Sequence, residues 1–197
     1  SADIGLLVKR AKKGDQTAFT ELVELYSERI YNLGLRILKN PDDAADVLQE
    51  TFTAVFEKID SFDGRSNFFT WLYRIATNFA LMKLRKDKRT VYTDQDMESM
   101  YDSPDDMQIH EWQDLPLKDM LNDEFQKNLE NAIDQLPEIY RSVFVLRDLE
   151  DMSIKETSTI LGITESNVKI RLKRARVYLR EQLAHYMDEY VKGVESS

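Results

Sequence analysis

The chain has 197 residues, of which 42% are hydrophobic and 32% are charged, and its formal net charge is -9. This length suggests one ordinary domain or two small ones, with enough apolar residues for packed cores. The absence of cysteine excludes disulfides and thiolate metal sites, and it fits a reducing compartment. Since no apolar run is long enough to span a membrane and no signal-peptide pattern is present, we expect a cytoplasmic protein.

The negative charge is concentrated in one segment. Residues 91–124 contain eleven Asp and Glu residues and one Lys, a local net charge of -10. The rest of the chain therefore carries -9 minus -10, or +1, and its basic residues are clustered. The overall acidity does not count against nucleic-acid binding, because the acidic groups belong to a single stretch.

Helical periodicity runs through the first part of the chain. A short amphipathic helix over residues 4–12 ends at Gly14, and Asp15 caps a second helix that extends to about residue 39. Asn40 and Pro41 begin a third helix, with proline at the first helical position. The positions predicted to be buried are Ala18, Leu22, Leu25, Tyr26, Leu33 and Ile37 in the second helix and Ala45, Leu48, Phe52, Val55 and Phe56 in the third.

A polar stripe lies elsewhere on the third helix. Asp46, Gln49 and Glu50 fall on this stripe together with Asp42 and Thr53. Such a stripe is normally just solvated, and nothing in its spacing alone demands a partner.

A loop over residues 61–66 precedes a fourth helix from about residue 67 to residue 86. Its apolar face is predicted to be core and consists of Phe68, Leu72, Ile75, Phe79 and Met82. Another face carries aromatic, hydrogen-bonding and cationic side chains, namely Trp71, Tyr73, Arg74, Thr77 and Asn78. Exposed aromatic rings among polar groups bind unstacked single-stranded bases, although Trp71 and Tyr73 could instead pack on the preceding helices. The helix runs into basic residues able to hold a phosphate backbone, namely Lys83, Arg85, Lys86, Lys88 and Arg89.

Residues 90–124 show no sustained period and contain two prolines, which indicates a linker with at most one helical turn near 117–122. A second helical domain is predicted from about Phe125 to Tyr190, followed by a frayed tail. No alternating strand pattern competes with the helices. The predicted fold is therefore all-α, with two small helical domains joined by an acidic flexible linker.

The stretch from Met152 to Leu183 is typical of two helices joined by a tight turn. Ser153 and Glu156 form a capping box that opens a short helix, Gly162 ends it, and Thr164 caps a longer one. An apolar stripe of the longer helix consists of Val168, Leu172, Ala175 and Leu179. Its remaining surface carries the cations Lys169, Arg171, Lys173, Arg174, Arg176 and Arg180. This arrangement favours a helix-turn-helix that lays its second helix in a DNA major groove, although a basic face alone is usually just solvated.

No catalytic constellation, cofactor motif or metal site is evident in the sequence. His110 and His185 have no Cys or His neighbour at ligand spacing, and there is no Gly-rich phosphate loop. We therefore expect a binding protein without a cofactor, rather than an enzyme.

These features together resemble the extracytoplasmic-function (ECF) subfamily of bacterial RNA polymerase sigma factors, over nearly the whole chain. The stretches that carry the resemblance are KKGDQTAF at 12–19, DVLQETF at 46–52, SFDGRSNFFTWLYRIATN at 61–78 and QLPEIYRSVFVLRDLEDMSIKETSTILGITESNVKIRLKRAR at 135–176. A helix-turn-helix match alone is weak, whereas the ordered set is specific. Ser158 stands where the family usually has alanine, a small change that should be tolerated. Lys173 stands where some members carry an apolar or aromatic residue, so the promoter sequence cannot be carried over.

The resemblance implies that residues 1–90 form sigma region 2, which binds core polymerase and both recognises and melts the minus-ten element. The clamp helices of the largest polymerase subunit would contact Asp46, Gln49 and Glu50. The residues implied in minus-ten binding are Phe62, Arg65, Phe68, Trp71, Tyr73, Arg74, Asn78, Lys83, Arg85 and Lys86. Among them Asn78 matches the family's base-contacting asparagine, and the loop residues 62–68 would frame a flipped base.

The resemblance also implies that residues 125–190 form sigma region 4, which reads the minus-thirty-five element as duplex and contacts the flap of the second-largest subunit, with 191–197 as a tail. The residues implied in this contact with DNA are Ser166, Asn167, Lys169, Ile170, Arg171, Lys173, Arg174 and Arg176. By helix geometry the residues that point most directly at the groove floor are Lys169, Ile170, Lys173 and Arg174. Those better placed for phosphates are Arg171, Arg176 and Arg180.

The acidic linker, residues 91–124, gains a role from the same resemblance. Our hypothesis is that its net charge of -10 mimics nucleic acid in a basic polymerase channel and keeps both domains off non-promoter DNA until polymerase binds. The alternative is a solvated tether. The resemblance further implies a monomer when free, no membrane insertion, and control by an anti-sigma factor.

Two other functional classes stay open at this stage. A dimeric helix-turn-helix regulator would need a dimerisation surface and a sensor domain, and the first domain has neither a ligand-pocket signature nor a heptad. A nucleic-acid enzyme would need a metal or nucleophile site. Binding measurements distinguish a sigma factor from a dimeric regulator. A sigma factor holds core polymerase tightly and free DNA poorly, while a dimeric regulator does the reverse.

Overall fold

A computed structural model describes residues 3–87 and 123–195, and the regular elements in these ranges are all helical. The helices before the linker are α1 (Ile4–Ala11), α2 (Gln16–Leu38), α3 (Pro41–Lys58) and α4 (Phe68–Asp87), with a 3₁₀ turn at Ile59–Ser61. Those after it are α5 (Asp123–Gln135), α6 (Glu138–Phe144), α7 (Ile154–Leu161) and α8 (Glu165–Glu195), with a π-helical turn at Val145–Leu149. The predicted all-α class is confirmed, while the predicted linker helix turn, His110 and most of the linker lie outside the described residues.

The described residues form two compact units. The first contains α1 to α4 together with Met152–Ile163, and the second contains the rest of the described chain. In the described ranges no helix has both the length and the apolar character needed to cross a bilayer.

The predicted helix starts are confirmed by their capping bonds. The side chains of Asp15, Asn40, Ser153 and Thr164 each accept a hydrogen bond from a backbone N–H two or three residues further along the chain. Each bond satisfies an N–H that has no partner within the helix. Gly162 ends α7 with a φ of 66°, a left-handed conformation that glycine adopts without steric cost.

In the first unit, α2 packs against α1, α3 and α4. Its buried side chains include Ile30 and Leu33, which meet a core that also contains Val47 and Leu72. Gly34 lies at the closest approach of α2 and α3, since a Cβ atom there would stand 3.3 Å from the Cα of Ala44. The helices therefore cross where both carry small residues.

The buried faces of α3 and α4 agree with the predicted ones only in part, since Phe52, Val55, Phe68 and Leu72 are buried as predicted. Phe56 is 59% exposed and Met82 is 63% exposed, although both were expected in the core. Ala45 and Leu25 are also exposed. Small side chains that were not predicted to be in the core are buried instead, namely Ala44, Ala54, Ala76 and Ala80. Small residues let two helix backbones approach closely, and this turns larger apolar groups towards the margin.

In the second unit, α8 packs on α5 and α6. The predicted apolar stripe of α8 is confirmed, because Val168, Leu172, Ala175 and Leu179 are all buried. The core that they meet contains Phe125, Leu136, Tyr140 and Phe144. The last helix continues to Glu195, beyond the predicted end of the second domain at Tyr190.

Candidate nucleic-acid interfaces

One face of α8 is exposed, polar and cationic. Ser166, Asn167, Lys169 and Lys173 are exposed along it, and Ile170 is 45% exposed among them. This face is opposite the buried stripe, because α8 turns by about 100° per residue. The structure therefore brings five of the eight residues predicted for duplex binding onto one accessible surface.

The three arginines of that predicted set lie in a different environment. Arg176 holds Asp148 of the π-helical turn with two hydrogen bonds, Nε–Oδ2 at 2.8 Å and Nη2–Oδ1 at 2.7 Å. Arg174 Nη1 lies 3.4 Å from the Tyr140 hydroxyl, and Arg171 is half-buried. Arg176, which was predicted to contact a phosphate, thus stabilises the packing of α8 against the π-helical turn that carries Asp148.

The loop before α4 and the first turns of that helix form an aromatic cluster. The ring centroid of Phe62 lies 5.2 Å from that of Trp71 and 5.8 Å from that of Phe68. Phe68 is buried, whereas Phe62 and Trp71 are partly exposed. The two partly exposed rings form the apolar wall of a groove of about 610 Å³.

The rim of this groove is built by local hydrogen bonds in the loop. The Arg65 backbone N–H donates to Asp63 Oδ1 at 3.0 Å, and the Arg65 side chain contacts the other carboxylate oxygen. The Arg65 backbone N–H first, and then its side chain, hold the pKa of Asp63 below the ordinary value. Gly64 permits the turn with a φ of 75°. Arg65 is left 91% exposed at the side-chain level, beside the groove.

The polar edge of the groove comes from the start of α4. Asn67 Oδ1 accepts a hydrogen bond from the Thr70 backbone N–H at 2.6 Å and so caps the helix. Glu156 of α7, in the same unit, accepts hydrogen bonds from the Thr70 hydroxyl at 3.2 Å and from the Asn67 amide at 3.4 Å. A carboxylate therefore occupies the polar edge in this structure. Asn67 belongs to the loop 62–68 that was predicted to frame a flipped base, whereas Thr70 was not predicted; an Asn just before a helix is a capping signal that the sequence does offer.

Tyr73 lies elsewhere than its predicted site. It is fully buried, with its ring centroid 4.1 Å from that of Phe69, and the Arg29 guanidinium lies 4.3 Å from the Phe69 centroid. The expectation that Tyr73 and Thr77 lie away from the core face is wrong, because both side chains are fully buried. Trp71 keeps the exposure that contact with a base needs.

The remaining predicted residues of α4 follow the same face as Trp71. Arg74, Asn78 and Arg85 are exposed and recur at helical spacing, and Lys86 is exposed beside them. They extend the groove face towards the end of the helix. Lys88 and Arg89 lie outside the described residues.

Lys83 contacts α3. Its ammonium lies 2.9 Å from Asp46 Oδ2 and 3.4 Å from Asp43 Oδ1. The hydrogen bond with Asp46 raises the pKa of Lys83 first, and Asp43 adds to the effect. Lys83, predicted for DNA, and Asp46, predicted for polymerase, are therefore partners of each other.

The predicted acidic stripe of α3 lines a second groove. Asp46, Gln49 and Glu50 are exposed there, and the groove of about 500 Å³ is completed by Thr53, Ala54, Glu57 and Phe79. Carboxylates around an apolar floor suit a basic and partly apolar partner. Within the described ranges, acidic and histidine side chains form no cluster of three or more that could hold a metal ion.

Two known families match this sequence. Residues 22–90 match the family described as Sigma-70 region 2, and residues 126–179 match the family described as Sigma-70, region 4. The two matches contain both candidate surfaces, the groove before α4 and the exposed face of α8.

Full-length relatives and solved structures are also similar to this chain. The ECF RNA polymerase sigma factor SigW of Bacillus subtilis is 39% identical over 89% of this chain and 94% of its own length. The RNA polymerase sigma-H factor of Pseudomonas aeruginosa is 33% identical over 93% of this chain and 95% of its own. The sigma factor RpoE of Bartonella quintana, solved in complex with the anti-sigma factor NepR, has a TM-score of 0.61 at 24% identity, covering 84% of this chain and 96% of that one. That last likeness concerns the fold alone.

Proposed function

The chain belongs to the ECF family of RNA polymerase sigma factors, and we propose that it binds core polymerase, melts a minus-ten element and reads a minus-thirty-five element. The observation that carries the proposal is the groove before α4, where the partly exposed rings of Phe62 and Trp71 lie beside polar groups. Duplex DNA offers no unstacked base to such rings, so the groove suits a base that has left the helix.

Capture of an extruded base explains how binding promotes melting. Stacking of one base on an aromatic side chain contributes about 1–3 kcal/mol, which is comparable to the cost of opening a base-pair step. Arg74, Asn78, Arg85 and Lys86 continue along the same face of α4 and would hold the phosphates and edges of the captured strand. Phe68 and Tyr73 make no direct contact with the strand, since both are buried.

The exposed face of α8 would read duplex DNA. Lys169, Ile170 and Lys173 face outwards at the spacing needed to enter a major groove, with Ser166 and Asn167 in the first turn. One lysine held against the edge of a guanine contributes about 1–3 kcal/mol of discrimination. Arg176 serves this contact indirectly, by fixing α8 on Asp148.

The groove on α3 would receive core polymerase. Asp46, Gln49 and Glu50 present carboxylate and amide groups to the clamp helices of the largest subunit, while the second domain contacts the flap of the second-largest subunit. We further propose that the free protein is a cytoplasmic monomer held by an anti-sigma factor, as the Bartonella quintana relative is held in its complex.

Run-off transcription with bacterial core polymerase on a promoter library tests this function. We expect transcripts that depend on this protein and share two sequence elements. In the Lys173→Ala variant we expect a relaxed base preference at one position of the minus-thirty-five element and an unchanged minus-ten preference. Absence of transcripts and of co-elution with core polymerase, together with tight operator binding by the free protein, would point to a dimeric regulator.

A further inference from the structure

A lysine near the start of the chain reaches the loop that frames the groove before α4. The Lys12 ammonium donates a hydrogen bond of 2.7 Å to the Phe62 carbonyl oxygen, across a sequence separation of 50 residues. Lys12 is half-buried, and a charged donor in such a place makes a stronger bond than a neutral one. The contact joins the end of α1 to the loop.

The end of α1 is itself firmly held. Leu7, Val8 and Ala11 are buried, and the Lys12 backbone N–H donates to the Val8 carbonyl at 2.9 Å. The Arg10 side chain then spans the turn between α1 and α2, with its Nε 2.8 Å from an Asp15 carboxylate oxygen. Lys12 therefore projects from a fixed point.

Within the loop, Phe62 is held by contacts of its backbone and of its ring. Its backbone N–H donates to the Ile59 carbonyl at 3.1 Å, and its ring packs on Trp71 and Phe68. The Lys12 bond adds a restraint on the remaining side, at the carbonyl from which the exposed turn at Asp63 begins.

We propose that Lys12 is a positioning residue for base capture, which fixes the wall of the groove before DNA arrives. The proposal rests on the proposed function, because it names a residue that prepares the minus-ten site. Without the ammonium, the loop backbone would have to be ordered at the moment of binding, and that ordering lowers affinity.

The test uses holoenzyme, that is, the full chain with core polymerase. Its probe is a single-stranded oligonucleotide with the non-template strand of a promoter selected in the run-off assay. We expect Lys12→Met to weaken binding on the order of tenfold, and Lys12→Arg, which keeps a charged donor, to recover most of the loss. The matched control is Lys13→Met, an exposed neighbour, which should bind like the wild type.

The salt dependence of binding separates positioning from direct phosphate contact. If Lys12 acts through Phe62, the slope of log affinity against log salt concentration is the same in Lys12→Met and the wild type. A slope reduced by about 0.7 would assign Lys12 to a phosphate of the single strand and overturn the proposal.

Hydrogen exchange shows whether the effect is local. We expect faster exchange over residues 61–67 in Lys12→Met and unchanged exchange in α2 and α3. Faster exchange throughout the first unit would assign Lys12 to general folding and contradict the proposal, as would wild-type affinity in Lys12→Met. If wild-type holoenzyme shows no sequence-selective binding, the proposed function itself fails, whereas selective binding that survives Lys12→Met contradicts only the role of Lys12.

Discussion

Trp71 and Tyr73 stand two residues apart on α4 and therefore point to different sides of the helix. Tyr73 is fully buried against Phe69, with ring centroids 4.1 Å apart. Trp71 is partly exposed and lines the groove beside Phe62. Substitutions at these two positions separate an aromatic ring that stabilises the fold from one that is free to meet a base.

Replacing Tyr73 with alanine is expected to lower the free energy of unfolding by about 3–5 kcal/mol, because it leaves a cavity in the core. Trp71→Ala should cost less stability but weaken holoenzyme binding to a single-stranded minus-ten oligonucleotide by about 1–3 kcal/mol. Urea denaturation and oligonucleotide titration measure the two quantities. Tyr73→Phe, which keeps the ring, is the control. A stable Tyr73→Ala protein with weak oligonucleotide binding would restore Tyr73 to the DNA contact.

On α8, Arg176 stabilises the fold by pairing with Asp148, whereas Lys173 is exposed and can contact DNA. Asp148 is only 13% exposed at the side-chain level, so Arg176→Ala leaves a nearly buried carboxylate without its cation and should cost about 3–5 kcal/mol of stability. Lys173→Ala, at an exposed position, should leave stability unchanged and relax the base preference at one position of the minus-thirty-five element. An Arg176→Ala variant of normal stability with a reduced salt slope would place its guanidinium on DNA instead.

At the scale of the element, the capping box of α7 makes stability depend on pH. The pKa of Glu156 lies below its ordinary value of 4.5, first because the Ser153 backbone N–H donates to the carboxylate, then through the Ser153 side chain, with Thr70 and Asn67 adding to the effect. A folded pKa below the unfolded one stabilises the protein above the unfolded value, and this contribution is lost as pH falls through the folded pKa.

We therefore expect the free energy of unfolding to fall more steeply below about pH 4.5 in the wild type than in Glu156→Gln. Glutamine still offers an oxygen to the Ser153 N–H but cannot ionise. Urea titrations at a series of pH values give the slopes. Ser153→Ala provides a second check, since it should cost about 1 kcal/mol at neutral pH by removing the cap. Equal slopes in Glu156→Gln and the wild type would contradict the assignment.

The Glu156 carboxylate is also expected to lower the affinity of the groove in the first unit for DNA. Because Glu156 accepts hydrogen bonds from Thr70 and Asn67, its negative charge lies at the groove that the proposed function assigns to an anionic strand. Glu156→Gln in the free protein should raise affinity for a single-stranded minus-ten oligonucleotide on the order of a few-fold at low salt. Glu165→Gln, which removes an exposed carboxylate at the start of α8, is the matched control. An equal gain in both variants would reduce the effect to net charge.

Helix positions were predictable from the sequence, whereas helix faces were only partly so. Capping is local, so Asp15, Asn40 and Ser153 revealed where helices begin. The buried faces of α3 and α4 depend on which residues permit close approach, and there the centre is made of alanines such as Ala76 and Ala80. A pattern weighted towards large side chains assigns the core to residues such as Met82, which the packing leaves outside.

Across the whole molecule, the sequence could not predict which partner each charged side chain contacts. Lys12 meets Phe62 at a separation of 50 residues, Lys83 meets Asp46 at 37, and Arg176 meets Asp148 at 28. The cations of α4 and α8 that are exposed include Arg85, Lys86, Lys169 and Lys173. Only folding decides which of those cations are paired within the protein and which remain available to a partner.

The largest concentration of charge in the chain is the acidic segment 91–124, with a net charge of -10 against +1 for the remainder. If this segment shields the DNA-binding surfaces of the free protein, its effect acts through space and weakens beyond about 10 Å at 0.1 M salt. Replacing Asp94, Asp96, Asp102, Asp105 and Asp106 with asparagine should then raise binding of the free protein to non-promoter duplex on the order of tenfold at low salt, with the difference vanishing at high salt.

The same variant should initiate less transcription as holoenzyme if the segment also mimics nucleic acid in a basic polymerase channel. Fluorescence anisotropy with non-promoter duplex and run-off transcription measure the two effects separately. A control chain with the segment shuffled at constant composition keeps the charge and changes the order, so it should behave like the wild type in both assays. A simple tether would leave both measurements unchanged in the asparagine variant, because a solvated connection depends on length and flexibility rather than on sign of charge.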